Sequence, residues 1–267
     1  MKTRSFLLYA LLATLQSCNM VDAQIVWLST KNMDFTDCDT EERHVSHFTS
    51  LSNTCPFDVI YEQSDDQYVI IEGDEPYFDR IHTDVKRGVL EITVDPARYR
   101  NIRLRVKVGS PEIEHITMAG SGSVQCTSDI ESDQDLSIRI LGSGDIVTKE
   151  VTCRSLQTSI SGSGDLKMTN IDAADVSLSI AGSGDWGAGD IKANNMSISI
   201  AGSGDVKVAT VDINDRLSAT VAGSGDIHLN GKATDVDVKV IGSGDISGRL
   251  TYDNISKNKM GSGDISW

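Results

Sequence analysis

The chain has 267 residues, with 24 basic and 39 acidic side chains and a formal net charge of −15. That length suits one large or two small domains. The acidic excess argues against nucleic acid or an anionic membrane surface as a partner, because both would repel the chain. Cations, neutral glycans and proteins are the partner classes that this charge favours.

The first 23 residues are typical of an export signal, in which a charged start precedes the apolar run "FLLYALLATL" (6–15). That run is too short to span a bilayer. Two ways of processing stay open: cleavage after Ala23, which we favour, and lipidation at Cys18 in a degenerate lipoprotein box. No later stretch is predicted to cross a membrane. We therefore expect an exported protein in the periplasm, on the outer membrane surface or outside the cell.

Residues 24–41 are predicted to be a poorly structured lead, and residues 42–117 a β-rich amino-terminal part. Segments of the β-rich part alternate or run apolar at strand length: "FDVIYEQ" (57–63), "QYVIIEG" (67–73), "VLEITV" (89–94) and "IRLRVKV" (102–108). On the last segment Arg103, Arg105 and Lys107 share one face. That basic row fits a solvated strand face or, alternatively, a contact with a polyanion.

Cleavage after Ala23 leaves four cysteines: Cys38, Cys55, Cys126 and Cys153. In an oxidising compartment an even count permits two disulfides, such as Cys38–Cys55. Buried or unpaired thiols are the alternative, above all for Cys126 and Cys153. Neither a Cys-x-x-Cys pair nor a His/Cys cluster in the sequence suggests zinc.

The sequence repeats from about residue 118 to residue 267. After a Gly-Ser-Gly-Ser at Gly120, Gly-Ser-Gly-Asp returns with its first glycines 22, 20, 20, 20, 21, 19 and 19 residues apart. Self-similarity at about 20 residues is typical of a solenoid. Apolar residues stand two, four and six places before the first glycine and four places after it, which indicates strands with one buried face. Because one unit cannot bury its own face, neighbouring units must stack.

The predicted fold is an all-β, right-handed parallel β-helix of about seven coils over 118–267, capped by the β-rich part 42–117. Trp186 falls on an inward position and is predicted to fill the core. The open ends of a β-helix leave unpaired strand edges. We expect Ile265 and Trp267 to plug or pair at the carboxyl end, and association of copies through the solenoid ends is the alternative.

The tetrapeptide is predicted to mark a tight corner in successive coils. Glycine reaches positive φ at little steric cost, which suits both flanks of such a corner. Ser and Asp can hydrogen-bond backbone N–H groups that the bend leaves unpaired. Stacking would align the aspartates of the corners in one column: Asp145, Asp165, Asp185, Asp205, Asp226, Asp245 and Asp264.

This column has an electrostatic cost, since two unit charges about 4.8 Å apart repel by roughly 1 kcal/mol in water. Hydrogen bonds, raised carboxylate pKa values or bound cations could offset that repulsion. We favour local hydrogen bonding, because each corner offers one carboxylate rather than the oxygen cage that calcium requires. A calcium ladder and loose cation association are the alternatives. No other cofactor and no catalytic residue is predicted.

The segments "FDVIYEQ", "IIEGDE" and "GVLEITV", followed by Gly-Ser-Gly-Asp coils, carry a family resemblance. Over about residues 42–267 the chain resembles the adhesin head (GIN) domain family of exported proteins, which is common in Bacteroidetes. The resemblance implies a β-solenoid on an exported or surface-located protein with an adhesive role and no catalytic residues to carry over. Ser123 departs from the pattern, since it stands where the later corners have aspartate.

The sequence favours a non-catalytic binding or adhesion module that presents a rigid β-solenoid surface to a glycan or a surface protein. A structural component of a cell-envelope assembly is the first alternative. A polysaccharide-processing β-helix enzyme is the second. We disfavour the enzyme because the regular spacing leaves no long insertions that would build a groove for paired carboxylates.

Overall fold

The computed structural model describes residues 34–99 and 101–267. The export signal (1–23), with Cys18, and most of the 24–41 lead lie outside the described residues. Strands make up 66% of the structure and helix 3%, and the stacked coils form a β-solenoid of about eight turns, which confirms the predicted all-β solenoid. None of the described helices is long and apolar enough to cross a membrane.

The elements up to the first corner of the glycine repeat are strands and one short 3-10 helix (Glu75–Arg80). The strands are β1 (Asp39–Glu42), β2 (Ser50–Asn53), β3 (Asp58–Gln63), β4 (Tyr68–Gly73), β5 (Ile81–Lys86), β6 (Val89–Val94), β7 (Leu104–Ser110) and β8 (His115–Met118). After that corner follow β9 (Ser123–Cys126), β10 (Ile130–Glu131), β11 (Leu136–Ile140), β12 (Asp145–Thr148), β13 (Val151–Ile160), β14 (Leu166–Gly182), β15 (Trp186–Gly202), β16 (Val206–Gly223), β17 (Ile227–Gly242), β18 (Ile246–Gly261) and β19 (Ile265–Ser266).

The repeat strands stack as parallel rungs in register. β14 pairs with β15 so that Leu166 lies beside Trp186 and Gly182 beside Gly202, and the alignment continues through β16, β17 and β18. From β14 onward each rung is one strand of 16 to 18 residues, interrupted only at the Ser-Gly-Asp corner. The separate strands expected from the sequence merge, because pairing with the adjacent rungs continues through the other bends.

Irregular repeat spacing is absorbed away from the glycine corner. In the pairing of β15 with β16, Ala193 lies beside Ile213 and Asn195 beside Arg216, so that Asn214 and Asp215 stand opposite the single residue Asn194. This bulge explains the 21-residue spacing in that rung. An extra residue at a bulge leaves the rest of the pairing intact, and the corners therefore stay aligned.

The solenoid begins before the glycine repeats. β2 stacks in parallel on β8, with Leu51 beside Ile116, and β3 stacks in parallel on β9, with Val59 beside Val124. Residues 50–63 thus form a rung of their own, whose corner contains "TCPF" (54–57) instead of glycines. This rung lies beyond those that the glycine repeats predict.

Antiparallel strands extend the amino-terminal end of the stack. β6 pairs in parallel with β2 and is followed by the antiparallel β5, while β7 pairs in parallel with β3 and is followed by the antiparallel β4 and β1. The outermost strand β1 reads Asp-Thr-Glu-Glu, and β5 exposes His82, Asp84 and Lys86. Charged side chains on edge strands discourage pairing with other chains, so this end is protected.

One apolar core runs through the solenoid, from Phe48 to Leu250. Trp186 is 1% exposed, which confirms its predicted place in the core. At the carboxyl end Ile265 pairs with Ile246, and Trp267 packs against the core, so both residues cover the last turn as predicted.

All four cysteines of the described chain are free, which favours the unpaired thiols over the disulfides that the cysteine count permits, such as Cys38–Cys55. The Cys55 thiol is buried at the corner of the first rung and donates to the carbonyl of Ile92, whereas Cys38 lies part-exposed before β1. Burial raises the pKa of the Cys55 and Cys126 thiols to about 12, and burial is also the main cause that raises the pKa of Cys153 to about 11.

Candidate functional site

The corner aspartates form a hydrogen-bonded column. From Asp165 onward, the backbone N–H of each aspartate donates to Oδ1 of the aspartate one rung earlier. The N···O distances are 2.8 Å for Asp165 on Asp145, 3.0 Å for Asp185 on Asp165, 2.9 Å for Asp205 on Asp185, 3.0 Å for Asp226 on Asp205, 2.8 Å for Asp245 on Asp226 and 2.7 Å for Asp264 on Asp245. Hydrogen bonds to an ionised acceptor are stronger than neutral ones. Each carboxylate therefore ties its own rung to the next.

The carboxylate supplies an acceptor where the strand pairing is interrupted. At the corner of Asp185, the N–H groups of Ser183 and Gly184 donate to the Gly162 carbonyl, and the Asp185 carbonyl accepts from Leu166. The Asp185 N–H donates to the Asp165 carboxylate instead of a backbone carbonyl. Asp is suited to this place because its short side chain reaches nearby backbone donors.

From Gly162 onward, the two glycines of a corner are required for different reasons. A Cβ on Gly202 would lie 2.0 Å from the Gly182 carbonyl oxygen, and the φ of Gly202 is +153°. A Cβ on Gly204 would lie 2.1 Å from the Gly184 oxygen, but Gly204 has no positive φ. The expectation of positive φ on both flanks is therefore wrong, because the second glycine serves the close approach of two rungs rather than a left-handed backbone.

The column starts one rung earlier than the repeat motif. Ser123 lies between Asp145 and Asp58, and its hydroxyl donates to Oδ1 of Asp58 at 2.8 Å. Sequence reasoning missed Asp58. The signal that could have found it is the eight-residue interval from Leu51 to Val59, which equals the interval from Ile116 to Val124.

Lysines lie beside some of the carboxylates. Lys207 Nζ is 3.3 Å from Oδ2 of Asp205, and Lys167 Nζ is 3.9 Å from Oδ2 of Asp165. Across residues 34–99 and 101–267, no group of three or more His, Cys, Asp and Glu side chains is arranged to hold a metal ion. The column can thus act through hydrogen bonds and lysine contacts, and calcium binding stays a prediction.

The basic row of β7 is paired with acids on β4. Glu72 lies 2.6 Å from both Arg105 Nε and Lys107 Nζ, and Asp74 lies 3.2 Å from Arg103 Nη2. Burial by itself would raise the pKa of Glu72, but hydrogen bonds and charges from Lys107 and Arg105 outweigh it and lower the pKa below its usual value. These pairings disfavour the polyanion contact, because two carboxylates already engage all three basic side chains.

A lateral groove of about 560 Å³ crosses several rungs on one side of the solenoid. The outer row of its lining is Asp135, Ser155, Asp175, Asn195 and Arg216. The inner row is Ser137, Gln157, Ser177, Ser197 and Ser218. Leu136, Leu156, Val176 and Met196 form the floor between the two rows. The expectation that regular spacing leaves no groove is wrong, because the stacked rungs make one without insertions.

Strand pairing places one residue of each row on every rung. Ser155 lies beside Asp175, Asp175 beside Asn195, and Asn195 beside Arg216, so the outer row advances by one rung per residue. With about 4.8 Å between rungs, the four steps from Asp135 to Arg216 cover roughly 19 Å. The groove is therefore a linear array in which hydroxyl and amide groups alternate with the charged side chains of Asp135, Asp175 and Arg216 above an apolar floor. Sequence reasoning missed it because these residues occupy outward positions that no motif marks.

The charged groups of the groove are engaged with partners. Asp135 accepts from Arg154 Nε at 2.8 Å, and this hydrogen bond lowers the pKa of Asp135 below its usual value. Asp175 accepts from Asn195 Nδ2 at 2.9 Å, and Arg216 lies 3.0 Å from Asp237. A carboxyl with a lowered pKa is a poor general acid, so Asp135 is poorly suited to donate a proton to a substrate.

Solved structures with the same fold include proteins from Parabacteroides distasonis and Bacteroides fragilis. A putative lipid binding protein from Parabacteroides distasonis is 28% identical, with a TM-score of 0.75 over 86% of this chain and 96% of that chain. A putative adhesin from the same organism is 22% identical, with a TM-score of 0.76 over 86% and 96%. A putative adhesin from Bacteroides fragilis is 22% identical, with a TM-score of 0.65 over 86% and 97%.

No curated protein matches the chain. The family model described as "Putative auto-transporter adhesin, head GIN domain" matches residues 47–214 and 209–267. Together these ranges span residues 47–267, from just before β2 to Trp267, which confirms the resemblance found in the sequence. The chain therefore belongs to the auto-transporter adhesin head GIN domain family.

Proposed function

We propose that this chain is an exported, non-catalytic binding module whose lateral groove receives a neutral glycan chain. The observation that carries the proposal is the uncharged row of the groove, in which one hydroxyl or amide group stands on each rung: Ser137, Gln157, Ser177, Ser197 and Ser218. Hydroxyls and amides donate and accept hydrogen bonds without net charge. That chemistry matches the hydroxyls of a sugar polymer.

Charge supports a neutral ligand over an anionic one. The net charge of −15 would repel a polyanion at moderate ionic strength. Asp135 and Asp175 add negative charge to the groove itself. The description of the family as a putative adhesin head supports this proposal, because a rigid surface that holds a ligand without turnover is sufficient for adhesion. Export to the periplasm, the outer membrane surface or the exterior is the setting in which such a module meets glycans.

A glycan array probed with the chain beginning at Gln24, in the presence and absence of calcium, tests the proposal. We expect retention of neutral oligosaccharides without release of products. The groove variant Ser177→Leu/Ser197→Leu should weaken binding of each retained glycan at least tenfold, because two leucines remove hydroxyl contacts and fill the groove. Thr210→Leu is the matched control, since Thr210 is an exposed strand residue outside the groove.

Other outcomes separate the alternative functions. Equal binding by the groove variant and the wild type would move the site elsewhere on the solenoid. Released sugar products would indicate an enzyme, and binding only in calcium would indicate the aspartate column. The glycan proposal would be replaced if the chain retained no glycan but bound a surface protein. The same holds if it bound neutral lipid vesicles, a ligand class that the name of one relative suggests. An absence of any ligand would favour a structural role in the envelope.

A further inference from the structure

β18 is the last long rung of the described solenoid, and one of its edges is open. β18 pairs with β17 along almost its whole length, whereas on its other side only Ile246 and Ser247 pair with β19. Within the described chain, no strand lies beside the stretch from Gly248 to Gly261 on that side. An unpaired edge of this length is a template on which another chain can add a strand.

Two lysines replace apolar residues at inward positions of this rung. Lys257 lies beside Val238 and Lys259 beside Val240, and both valines are 0% exposed. In the rungs before them the same two positions hold buried apolar residues, such as Ile198 with Ile200 and Ala219 with Val221. The aliphatic part of a lysine can cover apolar surface while its ammonium group stays in water.

The residues after the last corner hold these ammonium groups. Lys259 Nζ lies 3.0 Å from Oδ1 of Asp264, and Lys257 Nζ donates to the backbone oxygen of Trp267 at 3.4 Å. The Trp267 side chain packs against the core. Residues 264–267 and the two lysines together form a cover over the end of the core.

We propose that this cover, formed by Lys257, Lys259 and residues 264–267, closes the end of the solenoid against a second copy of the chain. A copy that continued the sheet on β18 would take both ammonium groups out of water, and an ammonium group buried without a full set of partners is strongly unfavourable. Apolar residues at 257 and 259 would instead present the same kind of apolar edge on which neighbouring rungs stack elsewhere in the solenoid. This inference does not depend on the ligand of the lateral groove.

The variant Lys257→Val/Lys259→Val restores the apolar pattern of the earlier rungs and tests the proposal. Light scattering after size exclusion measures its mass beside that of the wild type. We expect the wild type at the monomer mass and more than half of the variant at multiples of it under the same conditions. Dimers would indicate edge-to-edge pairing of two β18 strands, and longer assemblies a head-to-tail stack. Both would support the proposal.

Lys239→Val is the matched control, because Lys239 is an exposed lysine on β17 next to the same two valines but on the outward face. It removes a positive charge without changing the end of the core and should stay monomeric. If the valine variant does not fold, Lys257→Thr/Lys259→Thr replaces it as a more soluble variant without charge. A monomer for the folded double variant, assembly of Lys239→Val to the same extent, or assembly of the wild type through β18 would each overturn the proposal.

Discussion

Replacing Asp185 in the middle of the aspartate column separates its role as a hydrogen-bond acceptor from its charge. Oδ1 of Asp185 accepts the N–H of Asp205 at 2.9 Å, and the backbone N–H of Asp185 donates to Asp165 at 3.0 Å. Asp185→Ala removes the acceptor, whereas Asp185→Asn keeps an oxygen in its place and removes only the charge. Neither change touches the backbone bond to Asp165.

The two substitutions should differ clearly in stability. The neighbouring carboxylates one rung away repel Asp185 by roughly 1 kcal/mol each in water, and by about half of that at physiological salt. Removing the charge of Asp185 abolishes this repulsion and therefore stabilises either variant by about 1 kcal/mol. Asp185→Asn loses about 1 kcal/mol, because a neutral hydrogen bond is weaker than a charge-assisted one, so its net change is near zero. Asp185→Ala loses the whole charge-assisted hydrogen bond from the Asp205 N–H, which contributes about 1.5–3 kcal/mol.

Thermal unfolding followed by circular dichroism measures the difference. For a domain of this size 1 kcal/mol shifts Tm by about 2–4 °C, so we expect Asp185→Ala to melt several degrees below Asp185→Asn, which should match the wild type. Equal melting temperatures for Ala and Asn would refute the acceptor role. A rise in the wild-type Tm with calcium that both variants lose would show that the column binds cations, contrary to our interpretation of its hydrogen bonds.

Three further predictions concern the second glycine of the corner, the carboxyl group of Glu72 and the thiols of Cys38 and Cys126. Gly204→Ala should lower Tm by several degrees or prevent folding, because its Cβ would meet the Gly184 oxygen at 2.1 Å, while Gly187→Ala, whose Cβ has 3.8 Å to its nearest atom, should melt like the wild type. Because the pKa of Glu72 is lowered in the folded protein, its ionised carboxyl stabilises the fold at pH values above the pKa of Glu72 in the unfolded chain. The free energy of unfolding should therefore fall from roughly pH 5 to pH 3 more steeply in the wild type than in Glu72→Gln. Parallel curves for the two proteins would contradict this prediction. A reagent that reacts with thiolates, followed by peptide mapping, should label Cys38 in the native protein and Cys126 only after unfolding. Equal labelling rates for the two cysteines would contradict the burial of Cys126.

The repeat could be predicted from the sequence because every rung repeats the same apolar positions. Ile180, Ile200 and Val221 recur at one place before the corner, and stacking them is the only way to bury them all. The first rung carries no such label, since its corner holds Pro56 and Phe57 instead of glycines. Its place in the stack depends on pairing with β8 and β9, which are more than 50 residues away, and contacts between distant segments leave no local periodicity.

The groove and the closed end were harder to predict for a different reason. Outward positions carry no hydrophobic pattern, so that Asn195 or Ser197 has meaning only once its neighbours on other rungs are known. In the sequence, Lys259 interrupts the series of apolar residues two places before the first glycine of the motif. That interruption alone does not show whether the solenoid ends there or continues past an irregular rung. The partners of Lys257 and Lys259 lie in residues 264–267, and that fold-back is set by packing rather than by any motif.

Two charged columns show why like charges are stacked at the corner and avoided elsewhere. On the strand after the corner, Asp172, Lys192, Asp212 and Lys232 lie beside one another on successive rungs, so the sign alternates, and Lys232 Nζ is 3.1 Å from Asp212. There the backbone pairing already binds the rungs, and side chains are free to reduce repulsion. At the corner the backbone pairing is interrupted, and from Asp165 onward a carboxylate accepts the next N–H on each rung. The hydrogen bond that each carboxylate accepts offsets the repulsion between aspartates on neighbouring rungs. The column of aspartates is therefore retained at the corner, although alternating charges would remove that repulsion.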